Sequence, residues 1–142
     1  MRYLGLDLGT KTLGISKTDR SGTIVSPLPV IKFSFEDYDS ALDSVLKVIS
    51  DNNVDKVVLG LPKNMDGTIG FAGERSLKFK EMLESKNIVV ELEDERLTTK
   101  VAENIIHENN SNIKSSKNKI DSISAVVILE SFLKRIKNDI KE

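Results

Sequence analysis

The chain of 142 residues is long enough to bury a sizeable core, and we predict a single domain over residues 1–142. Its 21 basic and 22 acidic side chains nearly cancel to a formal net charge of −1, so there is no overall basic field of the kind that marks many nucleic-acid-binding proteins. The absence of cysteine excludes disulfides and thiolate metal sites, and no run of about 18 apolar residues could span a membrane. We therefore expect a soluble cytoplasmic protein.

The first predicted strand, around residues 2–10, carries an aspartate that needs an explanation. Alternation places Leu4, Leu6 and Leu8 on one face of this strand and Asp7 on the other. A strand so rich in apolar residues is typical of the centre of a sheet that is covered on both sides. A carboxylate there loses much of its hydration unless a cation or several hydrogen-bond donors compensate. Asp7 is therefore the first candidate functional residue.

The remaining elements predict an α/β fold with a five-stranded mixed sheet flanked by helices. Short turns that contain glycine join the first strand to strands at residues 12–18 and 23–31, which favours an antiparallel meander of three strands. Two more strands, at residues 54–60 and 88–92, follow helical segments and should run parallel to the first. The predicted helices lie at about residues 37–52, 72–85, 99–108 and 119–137, and the predicted loops at 61–71, 93–95 and 109–118.

Polar residues collect at the carboxyl ends of the predicted parallel strands, where ligands bind in open α/β sheets. Asp7 lies near the end of the first strand, the loop after Gly60 follows the fourth, and an acidic triplet at residues 93–95 follows the fifth. Taken alone, the triplet is more typical of a solvated acidic turn ahead of a helix, and only the other two carboxylates favour a functional role. Alternation along the preceding strand places Glu93 and Glu95 on one side.

The last predicted helix carries a second candidate aspartate, which lies on the apolar face of the helix. Asp121, Ala125, Ile128 and Phe132 share one helical face, and the other three are apolar, so Asp121 is expected to face the protein body. The alternative is that Asp121 only complements the helix N-terminus, an effect of typically ~0.3–1 kcal/mol. An exposed acid would serve that purpose equally well, so the position favours a functional role.

Carboxylates that converge from separate strands and a helix repel one another unless cations lie between them. Oxygen ligands without cysteine suit hard ions such as Mg²⁺ or Mn²⁺. Such a site can hold a phosphodiester and activate a water. Alternatively, a strand aspartate followed by a Gly-Thr turn can bind the phosphates of a nucleotide, as in ATP-binding proteins of the actin and sugar-kinase type. Those proteins clamp the nucleotide between two such lobes, and this chain can build only one.

Four residues are predicted to bind substrate. Thr10 and Lys11 follow the first strand in a turn that offers backbone N–H groups and an ammonium. Asn64 lies in a glycine-closed loop where backbone could approach a phosphate chain, although an ordinary tight loop is equally compatible. Arg96 would pair with one of the acids or with a phosphate. The phenylalanines are scattered and mostly core-like, so no base-stacking platform is predicted.

Four blocks, in order and at sensible spacing, resemble the signature motifs of the YqgF (RuvX) family: residues 4–14, 58–67, 94–99 and 119–125. The resemblance spans nearly the whole chain. It implies an RNase H-like fold related to the RuvC resolvases and a bacterial cytoplasmic protein that matures the 5′ end of pre-16S ribosomal RNA. By the same resemblance, Asp7, Glu95 and Asp121 are the catalytic and metal-binding residues, with Mg²⁺ or Mn²⁺ as the ion.

The main hypothesis is therefore a metal-dependent endonuclease that acts on structured RNA. The alternatives are a Holliday junction resolvase that acts on branched DNA and a non-catalytic RNA-binding protein of ribosome assembly. The likeness to resolvases also suggests a homodimer.

Overall fold

The computed structural model describes residues 1–95 and 116–141, and within residues 116–141 it describes the side chains of residues 123–137. The helix predicted at about residues 99–108 and the candidate Arg96 lie outside the described residues. The elements, numbered in chain order, are β1 (Tyr3–Leu8), β2 (Thr12–Thr18), β3 (Val25–Lys32), α1 (Tyr38–Asp51), β4 (Lys56–Leu61), α2 (Phe71–Glu84), β5 (Val90–Asp94) and α3 (Ser116–Lys141).

The five strands form one mixed sheet in the order β3-β2-β1-β4-β5. β2 pairs antiparallel with both β1 and β3, whereas β4 pairs parallel with both β1 and β5. Leu6 lies opposite Leu59, and Gly60 lies opposite Glu93. The parallel strands β1, β4 and β5 therefore end at the same edge of the sheet. This topology confirms the predicted α/β fold with three antiparallel strands plus two parallel ones.

Both faces of β1 are covered, which explains why this strand is so apolar. Leu4, Leu6 and Leu8 lie in a core that the sheet forms with α1 and α2. The opposite face packs against α3, where Phe132 is buried and its ring meets the ring of Tyr3 edge-on, with centroids 5.4 Å apart. The alternation predicted for the first strand is confirmed.

Gly5 lets the backbone of α3 approach the sheet closely. A Cβ atom at Gly5 would lie 2.8 Å from the carbonyl oxygen of Ala125 and 3.1 Å from the Cβ of Leu129. The Oγ of Ser16, on β2, donates a hydrogen bond of 2.7 Å to the same carbonyl. The helix backbone thus rests directly on β1 and β2, and small residues on both sides make the contact possible.

Two predicted boundaries are wrong near the carboxyl-terminal part of the chain. β5 continues through Asp94, because its parallel pairing with β4 extends to Leu61, so the turn predicted at residues 93–95 begins only after that pair. α3 begins at Ser116, inside the polar loop predicted at residues 109–118.

The prediction that the phenylalanines are mostly core-like is wrong for two of the five. Phe79 and Phe132 are buried, but Phe71 is 89% exposed and Phe35 is 61% exposed. Phe71 is the first residue of α2 and directly follows the loop after β4. Among the described residues, no helix combines the length and the apolar character that crossing a bilayer requires.

Candidate active site

Two acids that are far apart in sequence meet at the carboxyl edge of the sheet. Asp7 lies near the end of β1, and Glu95 directly follows β5, where its N–H donates to the carbonyl oxygen of Leu61 at 3.2 Å. The carboxyl groups of Asp7 and Glu95 are hydrogen-bonded to each other. The structure therefore brings together two of the three predicted site acids.

A glycine on the strand between them makes this meeting possible. β4 lies between β1 and β5, and Gly60 is near its end. A Cβ atom at Gly60 would collide with Oε1 of Glu95 and would lie 2.6 Å from Cδ1 of Ile128. Any side chain at this position would occupy the space through which the Glu95 carboxyl reaches Asp7. Sequence reasoning noted Gly60 only as a strand end, although a glycine inside a strand often marks such a close approach.

The environment of Glu95 favours its neutral form. Its pKa is raised from the usual value of 4.5 to about 9, most of all by burial and further by the charge of Asp7, the hydrogen bond with Asp7 and the charge of Asp94. Without a cation, the pair therefore keeps a proton near neutral pH, because two adjacent carboxylates do not both ionise in a poorly solvated site.

A divalent cation fits this pair of acids. Its charge would replace the shared proton, and carboxylate oxygens are the ligands that Mg²⁺ and Mn²⁺ prefer. Within residues 1–95 and the described part of α3, no group of three or more histidine or acidic side chains that could hold a metal is found. The described residues thus supply two of the predicted ligands, Asp7 and Glu95, and the third has to come from elsewhere.

The predicted third ligand, Asp121, is in α3, and its side chain lies outside the described residues. The helix face to which it was assigned is confirmed, since Ala125, Ile128 and Phe132 are all buried. α3 runs opposite to β1, because Phe132 contacts Tyr3 whereas Ala125 lies at Gly5, further along the strand. The turn of α3 that precedes Ala125 carries Asp121 and lies toward the end of β1. The role of Asp121 stays a prediction.

The predicted substrate-binding residues that are described surround the same edge. Thr10 and Lys11 form the turn after β1, and their carbonyl oxygens accept hydrogen bonds from Glu36 and Phe33, so the turn is held against the segment before α1. The side chain of Lys11 is exposed beyond it. Their contact with substrate stays a prediction.

Asn64 stabilises its own loop through hydrogen bonds that the sequence did not predict. Its side-chain amide donates to Oγ1 of Thr68 at 2.9 Å, and its N–H donates to the carbonyl oxygen of the same residue at 2.8 Å. Asp66 accepts from both the N–H and the hydroxyl of Thr68. Asn64 thus closes the loop after β4, and any contact that its side chain makes with substrate would use its carbonyl oxygen or its second amide N–H.

Sequence reasoning missed the buried state of Glu93. It was treated as one member of an acidic turn, but it lies in β5, is buried and is bonded to Ser131 and Arg135 of α3. Alternation correctly placed Glu93 and Glu95 on the same side. Asp94 points elsewhere, with Nζ of Lys63 at 3.8 Å from its carboxylate.

Comparison with known proteins identifies the family of this chain. The family model described as "RuvX: Holliday junction resolvase" matches residues 1–135. The chain belongs to the RuvX family. A relative in Bacillus subtilis (strain 168), named "Putative pre-16S rRNA nuclease", is 43% identical over 134 residues, which cover 94% of this chain and 97% of the relative. The resemblance on which the sequence interpretation depended is confirmed, and so is the prediction of a nuclease.

Solved structures show that this RuvX-family chain has the RNase H-like fold of the resolvases. A Thermus thermophilus RuvC in complex with a Holliday junction substrate aligns with a TM-score of 0.63 at 15% identity, and the match covers 96% of each chain. Nucleases of this kind generally use divalent metal ions.

A sugar-binding protein shares the same unit. A ROK family protein from Streptococcus pneumoniae TIGR4, solved in complex with sucrose, aligns with a TM-score of 0.51 at 18% identity. The match covers 76% of this chain but only 39% of that protein. This chain therefore corresponds to less than half of that larger architecture, which agrees with the argument that it can build only one of two lobes.

Proposed function

We propose that this chain is a metal-dependent endonuclease of the bacterial cytoplasm that hydrolyses phosphodiester bonds in structured RNA and processes the 5′ end of pre-16S ribosomal RNA. The observation that carries the chemistry is the pair of hydrogen-bonded carboxyl groups of Asp7 and Glu95 at the carboxyl edge of the sheet. The name of the relative that is 43% identical supports the choice of RNA substrate.

Asp7, Glu95 and Asp121 would hold the ion, Mg²⁺ or Mn²⁺. When bound, such an ion supplies positive charge to the phosphodiester and promotes attack by water. Glu95 has to lose its proton before it can act as a ligand, and its pKa of about 9 in the metal-free site means that the ion competes with that proton. Metal affinity is therefore expected to rise with pH.

Residues around the pair would position the nucleic acid. Lys11 carries an exposed ammonium in the turn after β1, and the turn at Thr10 is held in place by its bonds to the segment before α1. Asn64 lies in the hydrogen-bonded loop after β4, and Arg96 follows Glu95 directly in the sequence. These four residues would contact phosphates, which fix the register of a nucleic acid without reading its sequence.

The direct test is cleavage of a pre-16S RNA fragment by the purified protein with Mg²⁺ or Mn²⁺. We expect Asp7→Asn to lower the cleavage rate by more than about 100-fold. Loss of a residue that only hydrogen-bonds to a metal ligand typically costs about 10- to 100-fold, and this change removes a ligand itself. Glu95→Gln and Asp121→Asn should act in the same direction. Asp43→Asn, which makes the same change at an exposed position of α1, is the matched control and should cleave like wild type. Equal rates for wild type and Asp7→Asn would contradict the proposal.

A second candidate is cleavage of branched DNA, which the description of the matching family model favours. A four-way DNA junction offered beside the RNA would decide between the two substrates. Symmetric cuts in a junction need two active sites, so this candidate also needs a homodimer. Sedimentation of the protein with and without the junction tests that requirement, and a monomer in both conditions would favour RNA.

A further inference from the structure

A buried carboxylate that the proposed metal site does not use lies beside that site. Glu93 is 6% exposed. Its Oε2 accepts a hydrogen bond of 2.7 Å from Oγ of Ser131, its Oε1 accepts one of 3.0 Å from Nε of Arg135, and Nη2 of Arg135 lies 2.9 Å from the same Oε1 in an ion pair. The guanidinium in turn lies over the ring of Phe132, 5.3 Å from its centroid. Three polar atoms of α3 thus hold one side chain of β5.

These three residues, Glu93, Ser131 and Arg135, form a unit that we term the Glu93 clamp. It joins two of the three elements that contribute to the proposed metal site, because Glu95 follows directly after β5 and Asp121 is in α3, while Asp7 is in β1. β5 is the last strand of the described sheet and pairs only with β4. Among the described strands, β5 has a neighbour on one side only, so the contact from α3 restrains the end of β5 in addition to its pairing with β4.

Stability alone is a weak reason for such a unit. The Glu93 carboxylate is buried and has lost much of its hydration, whereas the Arg135 side chain is 50% exposed, and an ion pair that water reaches on one side contributes little net stability. An apolar contact would hold the strand against the helix but would allow the two to slide. The guanidinium meets Oε1 through Nε and Nη2 while the Ser131 hydroxyl donates to Oε2, so both carboxylate oxygens are held and the position and direction of the carboxylate are fixed.

We propose that the Glu93 clamp is a positioning unit that holds the end of β5 at a fixed place relative to α3, so that Glu95 and Asp121 can share one divalent ion. This inference rests on the proposed function. Glu93 lies two positions before Glu95 on the same side of the strand, so a shift of one moves the other. The clamp itself contacts neither the ion nor the substrate.

The test compares Arg135→Gln and Ser131→Ala with wild type in two measurements. The first is Mn²⁺ affinity by titration calorimetry, which should fall about 10-fold, the lower end of the effect of residues that position metal ligands. The second is hydrogen exchange in the metal-free protein at the Glu95 amide, which donates to Leu61 at 3.2 Å and should exchange faster. Arg135→Lys, which keeps the charge but loses the fork, should fall between.

Lys80→Ala is the matched control, because it removes the 2.9 Å ion pair with Glu84 on α2, away from the clamp. It should change neither Mn²⁺ affinity nor exchange at Glu95. A folded Arg135→Gln protein with wild-type Mn²⁺ affinity and wild-type exchange overturns the clamp, whether or not its melting temperature falls. If Arg135→Gln fails to fold, Ser131→Ala decides by the same criteria. If wild type binds no Mn²⁺ through Asp7, the proposed function fails, and exchange at Glu95 alone still decides whether the clamp positions this residue.

Discussion

At the scale of single residues, the state of Glu95 depends on what shares its site. Its carboxyl is partly buried, crosses over Gly60 and is hydrogen-bonded to Asp7, so ionisation would place two negative charges side by side with little water. A proton relieves this repulsion in the metal-free protein, and a divalent ion would relieve it in the loaded protein. The repulsion between the two carboxylates therefore reduces the stability of the metal-free fold, and binding of the ion would remove it. Functional residues commonly reduce stability in this way.

The repulsion between ionised Glu95 and Asp7 predicts that the stability of the metal-free protein depends on pH. The folded pKa of Glu95, about 9, lies above its usual value of 4.5, so the folded state holds a proton that the unfolded chain releases. The resulting stabilisation is fully present below about pH 4.5 and is lost as the pH rises through about 9. Urea unfolding in EDTA should show the free energy of unfolding falling across this window in wild type.

The variant Glu95→Gln isolates this effect. It should be about as stable as wild type near pH 5 and more stable near pH 9, because an amide cannot ionise. Asp43→Asn should keep the wild-type pH dependence. The same pH dependence in Glu95→Gln and wild type would show that another group is responsible.

At the scale of elements, α3 is the part that completes the site. Its buried face lies directly on β1 and β2 at Gly5, its Ile128 lies near Gly60, and the Glu93 clamp links it to β5. One helix thus contacts all three parallel strands close to the edge where the acids are. Its distance from the sheet depends on the absence of side chains at the two glycines.

We expect Gly5→Ala to destabilise the protein by roughly 1–3 kcal/mol, the usual cost of overpacking a core. The closest contact of the added Cβ is with helix backbone, the carbonyl oxygen of Ala125 at 2.8 Å, apart from the hydroxyl of Ser16. A side-chain rotation cannot relieve a backbone contact, so α3 has to move away from β1. Urea unfolding measures the loss, and Mn²⁺ affinity should fall with it. A variant as stable as wild type would show that the helix is not seated as closely as described.

At the scale of the whole molecule, charge limits how the protein can hold a nucleic acid. The formal net charge is −1, so there is no overall positive field to attract a polyanion, and acidic side chains collect at the proposed site itself. Attraction of a phosphate backbone to that edge then depends on the bound cation.

RNA affinity should therefore fall at least about 10-fold when EDTA removes divalent ions, because the acids of an empty site repel phosphates. Fluorescence anisotropy with a labelled pre-16S fragment measures this at constant ionic strength. Asp7→Asn, with one negative charge fewer, should lose less affinity in EDTA than wild type. Binding that persists unchanged in EDTA, without any cleavage by wild type, would instead support a non-catalytic RNA-binding protein.

Much of the fold could be predicted because it follows from local periodicity. Alternation of side chains along β1 and the helical spacing of Ala125, Ile128 and Phe132 are geometric consequences of strand and helix, and both are confirmed. The turn residues between the first strands likewise predicted the meander. The family motifs pointed to Asp7 and Glu95 as members of one site.

Only the tertiary structure decided how these acids meet. That β4 lies between β1 and β5, so that Gly60 opens a path from Glu95 to Asp7, depends on the order of strands in the sheet. The same holds for Glu93. Its acidic sequence neighbourhood suggests a solvated side chain, but in the structure Glu93 is buried and bonded to Arg135 and Ser131. Local sequence patterns determine on which face of a helix or strand a side chain lies. Which residues that face contacts depends on pairing between segments distant in sequence, because packing of the whole chain sets those contacts.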